Sequence, residues 1–145
     1  GLEAARASGL PVVATMSFRP LITQCSDDHT PAECARAMAD AGAIAVGANC
    51  EQEPRRMLPL LREMRATVSV PIAAQPAAFR TSDECHCFTR QPAFPDALET
   101  IQIARAEFAG FGRAAKAEGL GFVGGCCGSN AAYIRALALG LQQSK

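Results

Sequence analysis

Four short apolar runs recur between stretches of helical composition: PVVATM (Pro11 to Met16), AIAVGANC (Ala43 to Cys50), SVPIAAQP (Ser69 to Pro76) and LGFVGG (Leu120 to Gly125). That alternation is the strongest constraint on what the chain can fold into. Runs this short and this continuously apolar read as strands buried on both faces. Strands separated by helices join as right-handed βαβ units on a parallel sheet, so the predicted class is α/β.

The intervening segments carry helix signals. Leu2 to Ala7 has helical composition and stops at Gly9. In TPAECARAMADAG, Thr30 can cap, Pro31 suits the first helical position, Glu33 completes a capping box, and Gly42 ends a helix reaching about Ala41. Pro54 opens a helix to about Ala66, which Pro59 is expected to bend. A long proline-containing loop leads to a helix predicted from Ile101 to Glu118. A last helix, capped by Ser129 or Asn130, ends near Leu141.

Composition excludes several functions. The 145 residues suit one domain, and the 49% hydrophobic content can build a core. Fourteen basic against fourteen acidic residues leave zero net charge and no basic block for nucleic acid. No run approaches the roughly 18 apolar residues of a membrane span, and no signal-like core opens the chain, so a cytoplasmic setting is expected. The opening GLEAARASGL lies already inside a helical pattern and reads as a piece of something longer. The glycines of GFGRAAKAEG follow no strand and make no phosphate loop.

Seven cysteines without export features read as thiols, ligands or core residues. Cys50 follows the second predicted strand, and Cys126 with Cys127 follows the fourth. In a barrel of parallel strands, the carboxyl ends carry the active site. Three thiolates from two strand ends match a zinc site with one open position, and Gly124, Gly125 and Gly128 let adjacent side chains face one ion. Residue pattern alone leaves a second reading open, since free cysteine is among the most buried residue types.

AGAIAVGANC with FVGGCCG, and the run PVVATM, GANC, QPAAF, GGCCG in that order, resembles the homocysteine S-methyltransferase family and is most similar to its betaine-homocysteine branch. The resemblance implies a TIM (βα)8 barrel about twice this length, with residues 1–145 forming the C-terminal half, strands five to eight, of the homocysteine-binding domain. It implies zinc held by Cys50, Cys126 and Cys127. The implied reaction is methyl transfer to homocysteine from an onium donor of the betaine or S-methylmethionine type, giving methionine. Asn49 keeps the asparagine before the first ligand, whereas Ala48 replaces a larger aliphatic. The isolated chain is expected to be weak or inactive, and its partners beyond homocysteine and donor are an oligomer mate or the missing first half-barrel. The rival reading is a noncatalytic zinc or thiol-binding module.

Asn49 and Gln75, at strand ends, are the candidate substrate-binding residues, with simple loop capping as the alternative for Gln75. ECHC (Glu84 to Cys87) invites a second metal site through Cys85, His86 and Cys87. It sits in a long loop without a further ligand pair, and a surface loop is the simpler reading. Cys25 lacks metal spacing, Cys34 reads as helix-face core, and His29 as a loop residue. Ile101, Ile103, Phe108 and Phe111 read as a helix packing stripe. With one tyrosine, Tyr133, and no tryptophan, the chain is not expected to build an aromatic cation cage by itself.

Overall fold

The structure, a computed structural model, describes residues 1–19, 21–85 and 87–143. Four parallel strands, β1 (Val13–Met16), β2 (Ala45–Asn49), β3 (Ile72–Gln75) and β4 (Phe122–Val123), lie side by side in chain order. Among the described residues five α-helices accompany them: α1 (Leu2–Ala7), α2 (Pro31–Asp40), α3 (Pro54–Thr67), α4 (Arg105–Ala117) and α5 (Ala131–Gln142). A sheet whose spatial order equals its chain order is wound in one direction. Right-handed crossovers then keep the helices on one face.

The register divides the side chains accordingly. Val13 pairs with Ala45, Ala48 with Ala74, and Asn49 with Gln75. Val46, Ala48, Ile72 and Ala74 enter one core with Met38, Leu61, Met64, Phe108 and Leu137 from the helices. Side chains alternate along each strand, so Thr15, Gly47, Ala73 and Phe122 belong to the opposite face. Phe122 is 46% exposed there and Val13 41%. Among the described residues no helix is long and apolar enough to cross a membrane.

Local chemistry explains the helix boundaries. At α2, the Thr30 hydroxyl accepts from the Glu33 N–H, and the Glu33 carboxylate accepts from the Thr30 N–H at 2.8 Å. The backbone bond from Thr30 is the main reason the Glu33 carboxyl stays below its ordinary range. Asn130, not Ser129, caps α5, accepting from the Ala132 N–H at 2.9 Å. α3 runs unbroken through Pro59.

The start predicted at Ile101 is four residues early. Leu98–Ile101 is a 3-10 turn, and α4 begins at Arg105. The intervening backbone is used elsewhere: the Ile101 carbonyl accepts from Arg80, and the Ile103 N–H donates to Ala78. Glu107 then accepts the Ala104 N–H at 2.9 Å, fixing the helix start. Ile101 therefore closes the 3-10 turn and Ile103 lies in the non-helical stretch after it, while Phe108 and Phe111 pack from the helix. The fourth strand is also shorter than its apolar run, since β4 has β3 as its one partner.

α4 and α5 touch backbone to backbone. A Cβ at Gly112 would run into the Leu137 carbonyl, and one at Gly140 into the Ala109 carbonyl. Gly110, two residues from Gly112, has open space, its nearest neighbour being Arg113 Nη2 at 3.6 Å. Gly110→Ala should stabilise the protein by about 0.5–1 kcal/mol through helix propensity. Gly112→Ala should instead destabilise it by about 1–3 kcal/mol through overpacking. Urea unfolding of both variants checks the prediction; equal shifts of the same sign would contradict the close crossing.

Candidate metal centre

β3 runs past its last residue into a segment that bonds alternately to the loops on either side. The Gln75 carbonyl accepts from the Cys50 N–H at 2.9 Å, and the Ala77 N–H donates to the Gln52 carbonyl at 3.0 Å. Between these, the Pro76 carbonyl accepts from the Cys126 N–H at 2.9 Å, and the Ala78 N–H donates to the Cys127 carbonyl at 2.8 Å. One extended stretch, Gln75 to Ala78, thereby fastens the two cysteine-bearing loops in common register. Backbone bonds suit this task because they set loop height regardless of side-chain rotamer.

Each loop is shaped to expose sulfur. Cys50 and Glu51 both adopt left-handed backbone, with φ of 56° and 52°. That conformation is uncommon outside glycine and turns the chain sharply at the strand end. On the other side Gly128 has φ of 80°, and a Cβ there would lie 2.7 Å from Cζ of Phe79. The Gln102 side chain donates to the Gly128 carbonyl at 2.7 Å.

The result is a three-sulfur cluster. Cys50 Sγ lies 3.2 Å from Cys127 Sγ, which lies 3.9 Å from Cys126 Sγ, and all three sulfurs fall within 4.8 Å of one another. Tetrahedral zinc at about 2.3 Å from each sulfur needs separations of about 3.8 Å. The cluster meets that requirement with adjustments below about 1 Å. All seven cysteines are free thiols. Burial, followed by hydrogen bonding with Cys50, pushes the Cys127 thiol up to about 12 and shifts Cys126 in the same direction. Three thiolates this close repel one another, so their joint ionisation calls for a cation between them. Soft donors in this number fit zinc and do not suit magnesium or calcium.

The sequence candidates separate clearly. Asn49 and Gln75 are register partners directly below the sulfur-bearing turns. Asn49 Nδ2 reaches Ser17 Oγ at 3.4 Å, while the Gln75 carboxamide has no hydrogen-bond partner among the described residues. Cys85 and Cys87 are not part of the sulfur cluster. They line a separate cavity of about 560 Å³ with Arg19, Glu51 and Arg90. His86 lies outside the described residues. Cys25 and Cys34 are buried, and burial raises the Cys34 thiol to about 12. His29 is exposed, 3.8 Å from Glu33. Tyr133 is buried in the core, its hydroxyl donating to the Ile103 carbonyl at 2.5 Å.

Sequence patterns did not reveal Phe79, Phe88 or Gln102. Phe79 and Phe88 pack with ring centroids 4.8 Å apart, and Cys50 and Cys127 lie against their cluster. This places an apolar wall beside the sulfurs. The one available hint was QPAAF itself, whose phenylalanine closes the segment that bridges the loops.

A singly wound parallel sheet with a thiol cluster at its carboxyl ends defines the class, and comparison with known families agrees. Residues 1–141 match the family described as homocysteine S-methyltransferase, and the chain belongs to that family. It is similar to betaine-homocysteine S-methyltransferase 1 of Danio rerio, 35% identical over 145 residues, covering 94% of this chain and 35% of the relative. Against the Bos taurus protein of the same name, identity is 37% over 146 residues with the same coverage. S-methylmethionine-homocysteine S-methyltransferase BHMT2 of Pongo abelii is 34% identical over 144 residues, covering 94% of this chain and 39% of the relative. The chain thus spans little more than a third of the length of these relatives. The crystal structure of the Escherichia coli homocysteine methyltransferase MmuM, oxidized form, shares the fold with a TM-score of 0.59 at 21% identity, covering 94% of this chain and 40% of that one.

Two outcomes follow for metal uptake. The Cys85→Ser/Cys87→Ser double variant should bind zinc with the stoichiometry of the unaltered protein, as measured by metal analysis after dialysis; loss of zinc with the fold intact would redraw the site around that loop. Metal affinity should also fall as pH is lowered from about 8 to about 6. The raised pKa values of Cys126 and Cys127 mean that these two ligands carry protons in the metal-free protein and must release them on binding. Calorimetry in buffers of different ionisation enthalpy reads that release directly.

Proposed function

We propose that this chain supplies the metal-binding part of a homocysteine S-methyltransferase, forming strands five to eight of a (βα)8 barrel that transfers a methyl group from an onium donor to homocysteine. The observation that carries the reading is the convergence of Cys50, Cys126 and Cys127 from two strand ends in a chain of this family. The partial exposure of Val13 and Phe122, on the two edge strands β1 and β4, supports further βα units joining the sheet there to close the barrel. Betaine and S-methylmethionine appear in the names of its relatives. Both carry the transferable methyl on a positively charged onium centre.

The chain's own groups suit this chemistry. A free homocysteine thiol, with a pKa near about 8.5, is only a few per cent ionised at neutral pH. Zinc held by Cys50, Cys126 and Cys127 would supply the Lewis acidity that keeps the substrate sulfur a thiolate. Three cysteine thiolates give the surroundings net negative charge, which preserves electron density on an incoming sulfur and favours approach of a cationic donor. The Phe79–Phe88 wall excludes water on one side and strengthens those electrostatic effects. Asn49 and Gln75 offer amide groups just below the sulfurs, and the Gln75 carboxamide, without a hydrogen-bond partner among the described residues, would bind the polar part of the amino acid. In the transfer, the new C–S bond forms as the onium centre's bond to methyl breaks, and the bonding pair stays on that centre, which leaves as a neutral amine or sulfide.

Zinc should bind at one ion per chain, and Cys126→Ala should remove most of it, as measured by metal analysis. Stoichiometric zinc in that variant would refute the assignment. With cobalt in place of zinc, homocysteine should change the visible spectrum of the bound ion; an unchanged spectrum would favour a closed structural site. The 145-residue chain by itself should form methionine poorly from homocysteine and betaine or S-methylmethionine. Adding the first half of a related barrel should raise the rate, because small misplacements of about 1 Å cost about a hundredfold.

A further inference from the structure

Resting on the metal reading above, we propose that Gln52 is the positioning residue for Cys50, holding the left-handed turn that aims its sulfur at the cluster. Gln52 is a polar side chain with 3% exposure, two residues after the ligand, where a solvated or apolar residue would ordinarily serve. Its Nε2 donates to the carbonyl of Phe18 at 3.0 Å, and Phe18 itself is 2% exposed. Its own carbonyl accepts from Ala77, and its N–H closes the turn onto the Cys50 carbonyl at 2.5 Å.

These contacts surround the strained part of the chain. Cys50 and Glu51 are consecutive non-glycine residues at positive φ, a conformation that relaxes unless its ends are held. The Cys50 N–H to Gln75 bond holds the leading end. Gln52 holds the trailing end, through its backbone to the β3 extension and through its side chain to the segment after β1. Ser17 adds a parallel tie, its hydroxyl donating to the Asn49 carbonyl at 3.0 Å. Glu53, also buried, bonds instead to Thr81 at 2.8 Å and to Arg55, which fixes the start of α3 against the outer loop. Gln52 is therefore the side chain that ties the trailing end of the Cys50 turn to the segment after β1, while Ser17 ties the residue before Cys50. Without it, Cys50 Sγ can swing away while Cys126 and Cys127 stay in place.

The test is metal affinity, read without catalysis. Gln52→Met keeps length and volume but removes the donor. Zinc affinity, measured by chelator competition on the full chain, should fall about 10- to 100-fold, in the range of outer-shell variants, while one ion per chain still binds at saturation. The cobalt-thiolate charge-transfer band should weaken or shift. Adding Glu51→Gly should restore much of the affinity, because glycine accepts positive φ without strain and the turn then needs less holding. Phe111→Leu, a core change remote from the site, serves as control for lost stability and should leave the affinity unchanged. If Gln52→Met does not fold, Gln52→Asn, one methylene shorter, should show an intermediate loss. Wild-type affinity in the folded Gln52 variants, or an equal loss in Phe111→Leu, overturns the inference while leaving the metal site standing. Absence of zinc uptake by the unaltered protein overturns the metal reading, and this inference with it.

Discussion

The structure depends on four backbone hydrogen bonds made by consecutive residues from the last position of β3 onward. Gln75, Pro76, Ala77 and Ala78 bond in turn to Cys50, Cys126, Gln52 and Cys127. The alternation is the ordinary two-sided pairing of a central strand, continued past the point where its neighbours have become loops. Both loops are thereby held at one height above the sheet. Three thiols separated by up to 77 positions in sequence then meet within 4.8 Å.

Holding them there opposes several unfavourable terms. Left-handed backbone at Cys50 and Glu51 costs of order 1–3 kcal/mol at each residue. Burial and hydrogen bonding with Cys50 raise the Cys126 and Cys127 thiols, so in the metal-free site those two hold their protons. Offsetting these are the buried Phe79–Phe88 pair, the seating of Phe79 on Gly128, and the anchoring of Gln52. A cation converts mutual repulsion among thiolates into attraction to a common centre, which makes the same crowding an advantage.

The helices support the site from behind. α4 and α5 cross at Gly112 and Gly140 closely enough for backbone contact, and the loop carrying Cys126 and Cys127 enters α5 directly through the Asn130 cap. A shift of α5 would therefore be transmitted to two ligands. Cys50 depends on a different support, the clamp between β1 and β3. The sulfur cluster is thus assembled from two halves that share the β3 extension and differ in their outer bracing, α5 for one and the segment after β1 for the other.

Much was legible in the residues because local chemistry is local. Thr30, Pro31 and Glu33 specify the start of α2 by themselves, and continuous apolar runs place the four strands. Cysteine position at strand ends, with the GANC and GGCCG patterns, was enough to single out Cys50, Cys126 and Cys127. What the residues could not specify involved partners far along the chain. Ile101 and Ile103 carry apolar side chains at either a helical or an extended spacing, and backbone bonds to Arg80 and Ala78 decided that Ile101 closes a 3-10 turn and Ile103 lies in the non-helical stretch before α4. Phe79, Gln52 and Gln102 look like ordinary loop residues until the fold brings Gly128, Phe18 and the ligand turns against them. Sequence by itself determined which atoms can bind a metal, since that is a property of side-chain chemistry. Tertiary structure alone decided that those atoms meet, because their approach rests on backbone bonds between segments that share no local signal.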